Sequence, residues 1–178
     1  MTMIRKRCST FVRGANGFRG FVSSGFVFLM LAAPACAPMG GRTPDSGSTM
    51  PASIIEPYLA IQEALADDST DNVKANAGKI ATAATSLGAP AMKIDTSALQ
   101  LSGSIGATES DTDIKVVRER FGALSEAIDT YMTGINLKLP EGTAVAWCPM
   151  VKKPWIQRGE QLSNPYYGKE MPTCGNFR

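Results

Sequence analysis

The residues best suited to chemistry are four sulfur-bearing side chains near the C-terminus, arranged as Cys148-x-Met150 and Met171-x-x-Cys174. One pair lies at each end of a segment that is too aromatic for a disordered tail and too rich in proline for a long helix. If the two ends of this segment meet, each cysteine and its methionine can reach the same ion. Thiolate and thioether ligands without imidazole favour Cu(I), and Ag(I) by the same logic, over Zn(II), Ca(II) or Mg(II).

A disulfide is the second interpretation of the same two cysteines. In an exported domain, two cysteines pair with each other more often than they bind a metal. A Cys148–Cys174 disulfide would add about 3–4 kcal/mol of stability by closing the loop between them. Met150 and Met171 would then be ordinary packing residues. The two interpretations are compatible, because a redox-switched site could be both.

The absence of histidine limits the kinds of catalytic and metal-binding site that the chain can form. It excludes Ser–His–Asp and Cys–His nucleophile systems, histidine-containing zinc sites and His-ligated haem. The chain also has no C-x-x-C redox pair and no glycine-rich nucleotide-binding motif. Its carboxylates show no convergent pair. We therefore predict that the protein is not an enzyme.

The N-terminal residues 1–35 have the organisation of a secretory signal peptide. Five basic residues without an acidic one precede an apolar run over residues 21–33, which is too short to span a bilayer. Small residues then lead to Cys36, in an arrangement similar to the lipobox of bacterial lipoproteins. Acylation of Cys36 and ordinary cleavage nearby are both open, and either predicts an exported, periplasmic protein. Residues 36–52, rich in Pro, Gly, Ser and Thr, predict a flexible tether.

Loss of the signal peptide changes the charge of the chain. Of the 18 Lys and Arg residues five leave with this segment, so that 13 remain against 16 Asp and Glu, a net charge of −3. The basic isoelectric point of the full chain is therefore no indication of nucleic-acid binding, and we predict none. Contact with a membrane is expected only through a lipid on Cys36.

Apolar periodicity predicts helices over residues 53–135 of the folded domain, which spans 53–178. The first helix has an apolar face of Ile54, Tyr58, Ile61 and Leu65. An alanine-rich second helix is expected to end at Gly88. A weaker helix is expected over residues 97–105.

The strongest periodicity belongs to a long fourth helix. Asp111 or Ser110 is its expected N-cap and Gly134 its expected end. Its apolar stripe consists of Ile114, Val117, Phe121, Leu124, Ile128 and Tyr131.

The predicted fold class is all-α. It is an antiparallel bundle of three or four helices, covered by an irregular, Cys- and aromatic-rich segment over residues 136–178, which we call the cap. One short strand is possible over residues 137–147. Trp155, Tyr166 and Tyr167 are expected to anchor the cap to the helices. Three basic residues make the cap locally basic, which indicates either a solvated loop or a surface that docks a partner: Lys152, Lys153 and Arg158.

Several of these residues carry a resemblance to a family of exported bacterial proteins, domain of unknown function 3347. The similarity covers nearly all of residues 53–178. The resembling segments are RERFGALS at 118–125, CPM at 148–150, Trp155, NPYYG at 164–168, Met171, and Cys174 with Gly175. An opening helix with Tyr58-Leu59 and ALADD at 64–68 matches as well.

The resemblance implies a role in metal efflux. Such domains occur alone, often as lipoproteins, and fused to periplasmic adaptor subunits of copper and silver efflux pumps. This chain lacks the adaptor's other segments, so it resembles the stand-alone form. The resemblance and the sulfur ligands together predict a domain that captures Cu(I) or Ag(I), or passes it to an efflux adaptor. A disulfide-stabilised protein-interaction module without metal is the alternative.

Overall fold

The computed structural model describes residues 47–108 and 111–178. The predicted signal peptide, Cys36 and the predicted tether up to residue 46 lie outside the described residues. The last part of the expected tether, residues 47–50, lies against residues 136–138. The Met50 amide donates to the Lys138 carbonyl at 2.8 Å, the Lys138 amide donates to the Ser48 carbonyl at 2.8 Å, and Met50 is buried. Ordered packing therefore begins before residue 53.

Four α-helices make up most of the described chain. They are α1 (Ala52–Ala66), α2 (Val73–Leu87), α3 (Met92–Gly103) and α4 (Ile114–Gly134), with a short 3-10 turn over Ala89–Ala91 ahead of α3. The predictions of the first, second and long fourth helices are confirmed, whereas the third begins earlier than expected. Within the described ranges no helix has the length and apolar character that crossing a bilayer requires.

The long helix α4 forms where its apolar stripe predicts, and Val117, Phe121, Leu124 and Ile128 are fully buried. Its N-cap differs from the prediction, because Asp113 accepts a hydrogen bond from the Lys115 amide at 2.9 Å. This side chain satisfies an amide that the first helical turn leaves unpaired. Helix α4 packs on α3, α3 on α2 and α2 on α1.

The cap corrects the predicted all-α class, because the chain is helix-rich but also contains a three-stranded antiparallel sheet. The strands are β1 (Thr143–Cys148), β2 (Lys153–Arg158) and β3 (Asn176–Phe177), in the order β2-β1-β3. Trp147 of β1 lies between Pro154 of β2 and Asn176 of β3. The possible strand over residues 137–147 overlapped only β1.

The prolines explain why sequence reasoning missed the sheet. Pro149 lies in the four-residue turn between β1 and β2, and Pro154 lies in β2, which is an edge strand. A proline excludes a helix interior, but an edge strand tolerates it wherever its missing N–H would face away from the neighbouring strand. The proline content is therefore evidence against a long helix, but it does not exclude a β-hairpin.

Aromatic rings join the cap to the helices. Tyr58 of α1 stacks on Phe121 of α4 with ring centroids 5.1 Å apart. Phe121 in turn lies 5.9 Å from the ring of Tyr166, and Trp155 meets Tyr166 edge to face at 6.0 Å. Trp155 is fully buried and Tyr166 nearly so, as expected of residues that anchor the cap, while Tyr167 is half-buried.

Two tyrosine hydroxyls occupy the outer edge of β2. The Ile156 amide donates to the Tyr58 hydroxyl at 3.2 Å, and the Tyr166 hydroxyl donates to the Pro154 carbonyl. The Tyr58 hydroxyl also lies 2.7 Å from the Ser125 hydroxyl of α4. Burial is the main cause that raises the pKa of Tyr58. The edge strand is thus fixed to α1 and α4 by side chains that satisfy its backbone groups.

Candidate functional site

The two cysteines of the cap meet at the end of the sheet. Cys148 is the last residue of β1 and is fully buried. Because Trp147 lies opposite Asn176, the antiparallel strands bring the residue after Trp147, Cys148, close to the residues just before Asn176, which include Cys174. Neither thiol is in a disulfide, and the half-buried Cys174 lies close enough to Cys148 for the two side chains to interact. Burial, and next the proximity of Cys148, raise the pKa of the Cys174 thiol.

Asn164 holds the two cysteines in place, and sequence reasoning missed this role. Its side-chain amide donates to the Cys174 carbonyl at 2.5 Å and lies 3.5 Å from the Cys148 sulfur. Its side-chain carbonyl accepts from the Tyr166 amide at 2.8 Å. Asn164 is fully buried. We call Cys148, Asn164 and Cys174 the thiol corner.

The backbone of Asn164 is also fully used. Its amide donates to the Pro172 carbonyl at 2.8 Å, and its carbonyl accepts from the Gly168 amide at 3.0 Å. An Asn-Pro sequence favours a turn, but a turn signal does not show which distant segments the Asn164 side chain will join.

The two methionines occupy different environments. Met150 lies in the turn directly after Cys148, and its side chain is 62% exposed. Met171 is half-buried, and its carbonyl accepts from the Cys174 amide at 3.3 Å. The structure therefore brings the two thiols together, keeps Met171 in the turn that leads to Cys174, and leaves Met150 facing solvent.

The donor set of the thiol corner fits a soft ion. Among residues 47–108 and 111–178, no three or more Cys, Asp or Glu side chains are grouped as metal ligands would be. A metal held at this corner would therefore depend on the two cysteine thiols and on methionine sulfur. Thiolate and thioether sulfur suit Cu(I) and, by the same softness, Ag(I).

An ion pair between Arg118 and Asp68 supports the segment of the cap that follows Asn164. Arg118 of α4 pairs with Asp68 at 2.5 Å, and its guanidinium donates to the carbonyls of Leu65 and Pro165 at 3.0 Å each. The other oxygen of Asp68 accepts from the Lys169 amide at 3.2 Å. The end of α1, the side of α4 and the segment after Asn164 are thus joined through one carboxylate.

Because of this ion pair between Arg118 and Asp68, we expect the fold to lose stability as the pH falls. The hydrogen bond from Arg118 is the main cause that lowers the pKa of Asp68. A carboxyl whose pKa is lowered by folding stabilises the fold above its unfolded-state pKa, and that contribution is lost as the pH falls through the folded-state pKa. We expect Asp68→Asn to be less stable than the wild type at pH 7, and the two to converge below about pH 4, measured by urea unfolding.

The control for this comparison is Asp67→Asn. Asp67 is the exposed preceding residue, whose side chain makes no hydrogen bond or ion pair within the described residues. Asparagine tolerates the left-handed backbone of Asp68 (φ 61°), so the substitution tests the charge. A stability difference for Asp68→Asn that stays constant between pH 7 and about pH 3 would contradict the prediction.

The basic residues of the cap mostly face the helices. Arg158 pairs with Glu56 and Glu63 of α1, and Lys153 pairs with Glu126 of α4 at 2.5 Å. These pairs are solvent-exposed and therefore stabilise the protein only modestly. Of the three basic residues proposed as a docking surface, only Lys152 has no ion pair among the described residues.

A separate cavity of about 1130 Å³ lies between α1 and α2, away from the thiol corner. All of its lining residues belong to these two helices, and most of them have small side chains, such as Ala60, Gly78 and Ala83. Its larger polar side chains are already engaged, since Glu56 pairs with Arg158 and Lys79 donates to Asn76. The cavity holds no sulfur ligand, so the candidate site for a soft ion remains the thiol corner.

The fold and the thiol corner define a helix-rich domain closed by a small antiparallel sheet that carries two adjacent thiols. Residues 54–138 match the family described as Protein of unknown function (DUF3347), and this match supports the family that the sequence resembles. The match ends before β1, so the thiol corner lies outside it. No curated protein and no solved structure matches the chain significantly.

Proposed function

We propose that the protein binds Cu(I) or Ag(I) as cargo through Cys148 and Cys174. The observation that carries this proposal is the meeting of the two thiols at the buried end of β1. The chain supplies no histidine, so sulfur is the strongest soft ligand that it can offer. The domain acts as a carrier and not as an enzyme.

The surroundings of the thiols favour an ion of this kind. Two thiolates and one monovalent cation leave a single net negative charge, which is less costly to bury than two separate thiolates. The Asn164 amide points at the Cys148 sulfur and can donate to it when it is ionised. Met171 lies three residues before Cys174 and is half-buried. Its thioether is therefore a candidate third ligand.

We place this function outside the cytoplasm. The signal-like residues 1–35 support export to the periplasm, whether Cys36 is acylated or the chain is cleaved without a lipid. The family resemblance supports a periplasmic efflux adaptor as the partner that receives the metal. The same setting supports the second candidate, a disulfide-closed interaction module, because two adjacent thiols in an oxidising compartment are also positioned to form a disulfide.

The test is a titration of the reduced full-length chain with Cu(I) under anaerobic conditions, against a competing chelator. Cys8→Ser and Cys36→Ser are introduced so that the cap supplies the only thiols. We expect binding of one ion per chain, and loss of that binding in Cys148→Ser/Cys174→Ser. Met171→Leu reports whether the sheltered thioether contributes.

Two results would contradict the proposal. One is binding in the wild type no stronger than in the double-serine variant. The other is a Cys148–Cys174 disulfide, in protein recovered from the periplasm, that resists mild reductant. The second result would favour the disulfide-closed module.

A further inference from the structure

The sulfur-bearing residues of the cap differ in exposure, and Met171 is half-buried like Cys174. Met150 is 62% exposed, Cys174 is half-buried and Cys148 is fully buried. Asn164 covers the inner side of the corner, where its amide contacts both the Cys148 sulfur and the Cys174 carbonyl. An ion arriving from solvent therefore cannot meet Cys148 first.

Met150 is positioned for the first encounter. It lies in the turn of residues 149–152, two residues beyond Cys148. A large apolar side chain with this exposure is uncommon in the described part of the chain, where Met92 of α3 is the only other methionine that is similarly exposed, at 63%. Packing does not explain the exposure of Met150, because its side chain buries little apolar area.

We infer that Met150 is the first ligand of an incoming monovalent soft ion, which it passes to Cys174 and then to Cys148. This inference rests on the proposed function and adds a direction to it. Met150 sets the rate at which the ion is captured, whereas the two cysteines set the affinity with which it is held. The molecule that delivers the ion by this route would hold it through thioether ligands. Because a thiolate binds such an ion more strongly than a thioether does, the ion then moves from the donor to the thiol corner.

The exchange balances without any redox partner. The bond between the ion and the Met150 sulfur breaks as the bond to the Cys174 sulfur forms, and the thiol proton leaves to water. A second bond forms to Cys148 with release of its proton. The ion keeps its +1 charge throughout, and thiol binding releases protons as metal binding to cysteine requires.

Tryptophan fluorescence can report the transfer of the ion to the thiol corner. Its two tryptophans, Trp147 and Trp155, both lie in the sheet, and Trp147 directly precedes Cys148. The ring of Trp155 lies against Gly175, next to Cys174. Stopped-flow tryptophan fluorescence can therefore follow the transfer of Ag(I) from a methionine-containing peptide to the reduced full-length chain, again with Cys8→Ser and Cys36→Ser.

We expect Met150→Leu to slow this transfer by about tenfold while the dissociation constant changes by less than about threefold. Met92→Leu is the matched control, since it removes an equally exposed thioether from a site far along the chain, and it should leave both quantities unchanged. Equal rates in Met150→Leu and the wild type would overturn the route through Met150. So would a loss of affinity as large as the loss of rate, because Met150 would then be a permanent ligand. A wild type that takes up no Ag(I) would instead overturn the proposed function.

Discussion

Replacing Asn164 by alanine is expected to lower the free energy of unfolding by about 3–5 kcal/mol. The substitution removes the partners of the buried Tyr166 amide and of the part-buried Cys174 carbonyl, and the Asn164 site itself is fully buried. Each buried group left without a partner costs about 1–3 kcal/mol. Urea unfolding followed by tryptophan fluorescence measures the loss, because both tryptophans lie in the sheet.

The thiols provide a second measure of the same change. Cys148 is fully buried in the wild type and should react slowly with a thiol reagent, whereas opening of the corner in Asn164→Ala should expose it. Asn176→Ala is the control, since Asn176 is exposed in β3 and surface changes usually stay within about 0.5 kcal/mol. If Asn164→Ala were as stable as Asn176→Ala, Asn164 would not organise the cap.

Gly175→Ala is expected to destabilise the fold by about 3–4 kcal/mol. A Cβ atom at this position would lie 2.6 Å from the Trp155 ring and 2.9 Å from the Trp147 carbonyl. Trp155 is fully buried, and the carbonyl belongs to the sheet, so neither group can move aside easily. The backbone φ of +152° adds strain for any residue with a side chain.

Gly142→Ala separates the steric clash from the backbone strain. Gly142 also has a positive φ, +75°, but a Cβ atom there would meet nothing within 4 Å. It should therefore cost only the conformational strain, about 1–2 kcal/mol. Thermal unfolding of the two variants gives the comparison, and equal losses would show that Gly175 is not required by the approach of Trp155.

The helices could be predicted because their information is local. The stripe of α4 and the apolar face of α1 repeat every three or four residues, and the same residues are buried in the structure. The predicted N-cap of α4 lies two or three residues before the observed one, because Ser110, Asp111 and Asp113 are all good N-cap residues. The local sequence alone does not show which of these three residues forms the N-cap.

The cap could be predicted only in part because its contacts are distant in sequence. Its aromatic content indicated anchoring, and Trp155 and Tyr166 do pack against the helices. The bonds that organise it join Asn164 to Cys148 and Cys174, and Arg118 to Asp68, over separations that no periodic pattern encodes. The two cysteines were expected to meet, and they do. Met150 is exposed to solvent, and its place among the four expected sulfur ligands stays a prediction.

The tyrosine hydroxyls along β2 have a consequence for self-association. An exposed edge strand offers unpaired amides and carbonyls on which another chain can add a strand, which is a common start of aggregation. At the outer edge of β2, the Ile156 amide and the Pro154 carbonyl are already bonded to Tyr58 and Tyr166, and Pro154 has no amide to offer. The opposite edge is β3, only two residues long. The sheet therefore offers few free backbone groups for strand addition, so the protein can keep a small open sheet without polymerising through it.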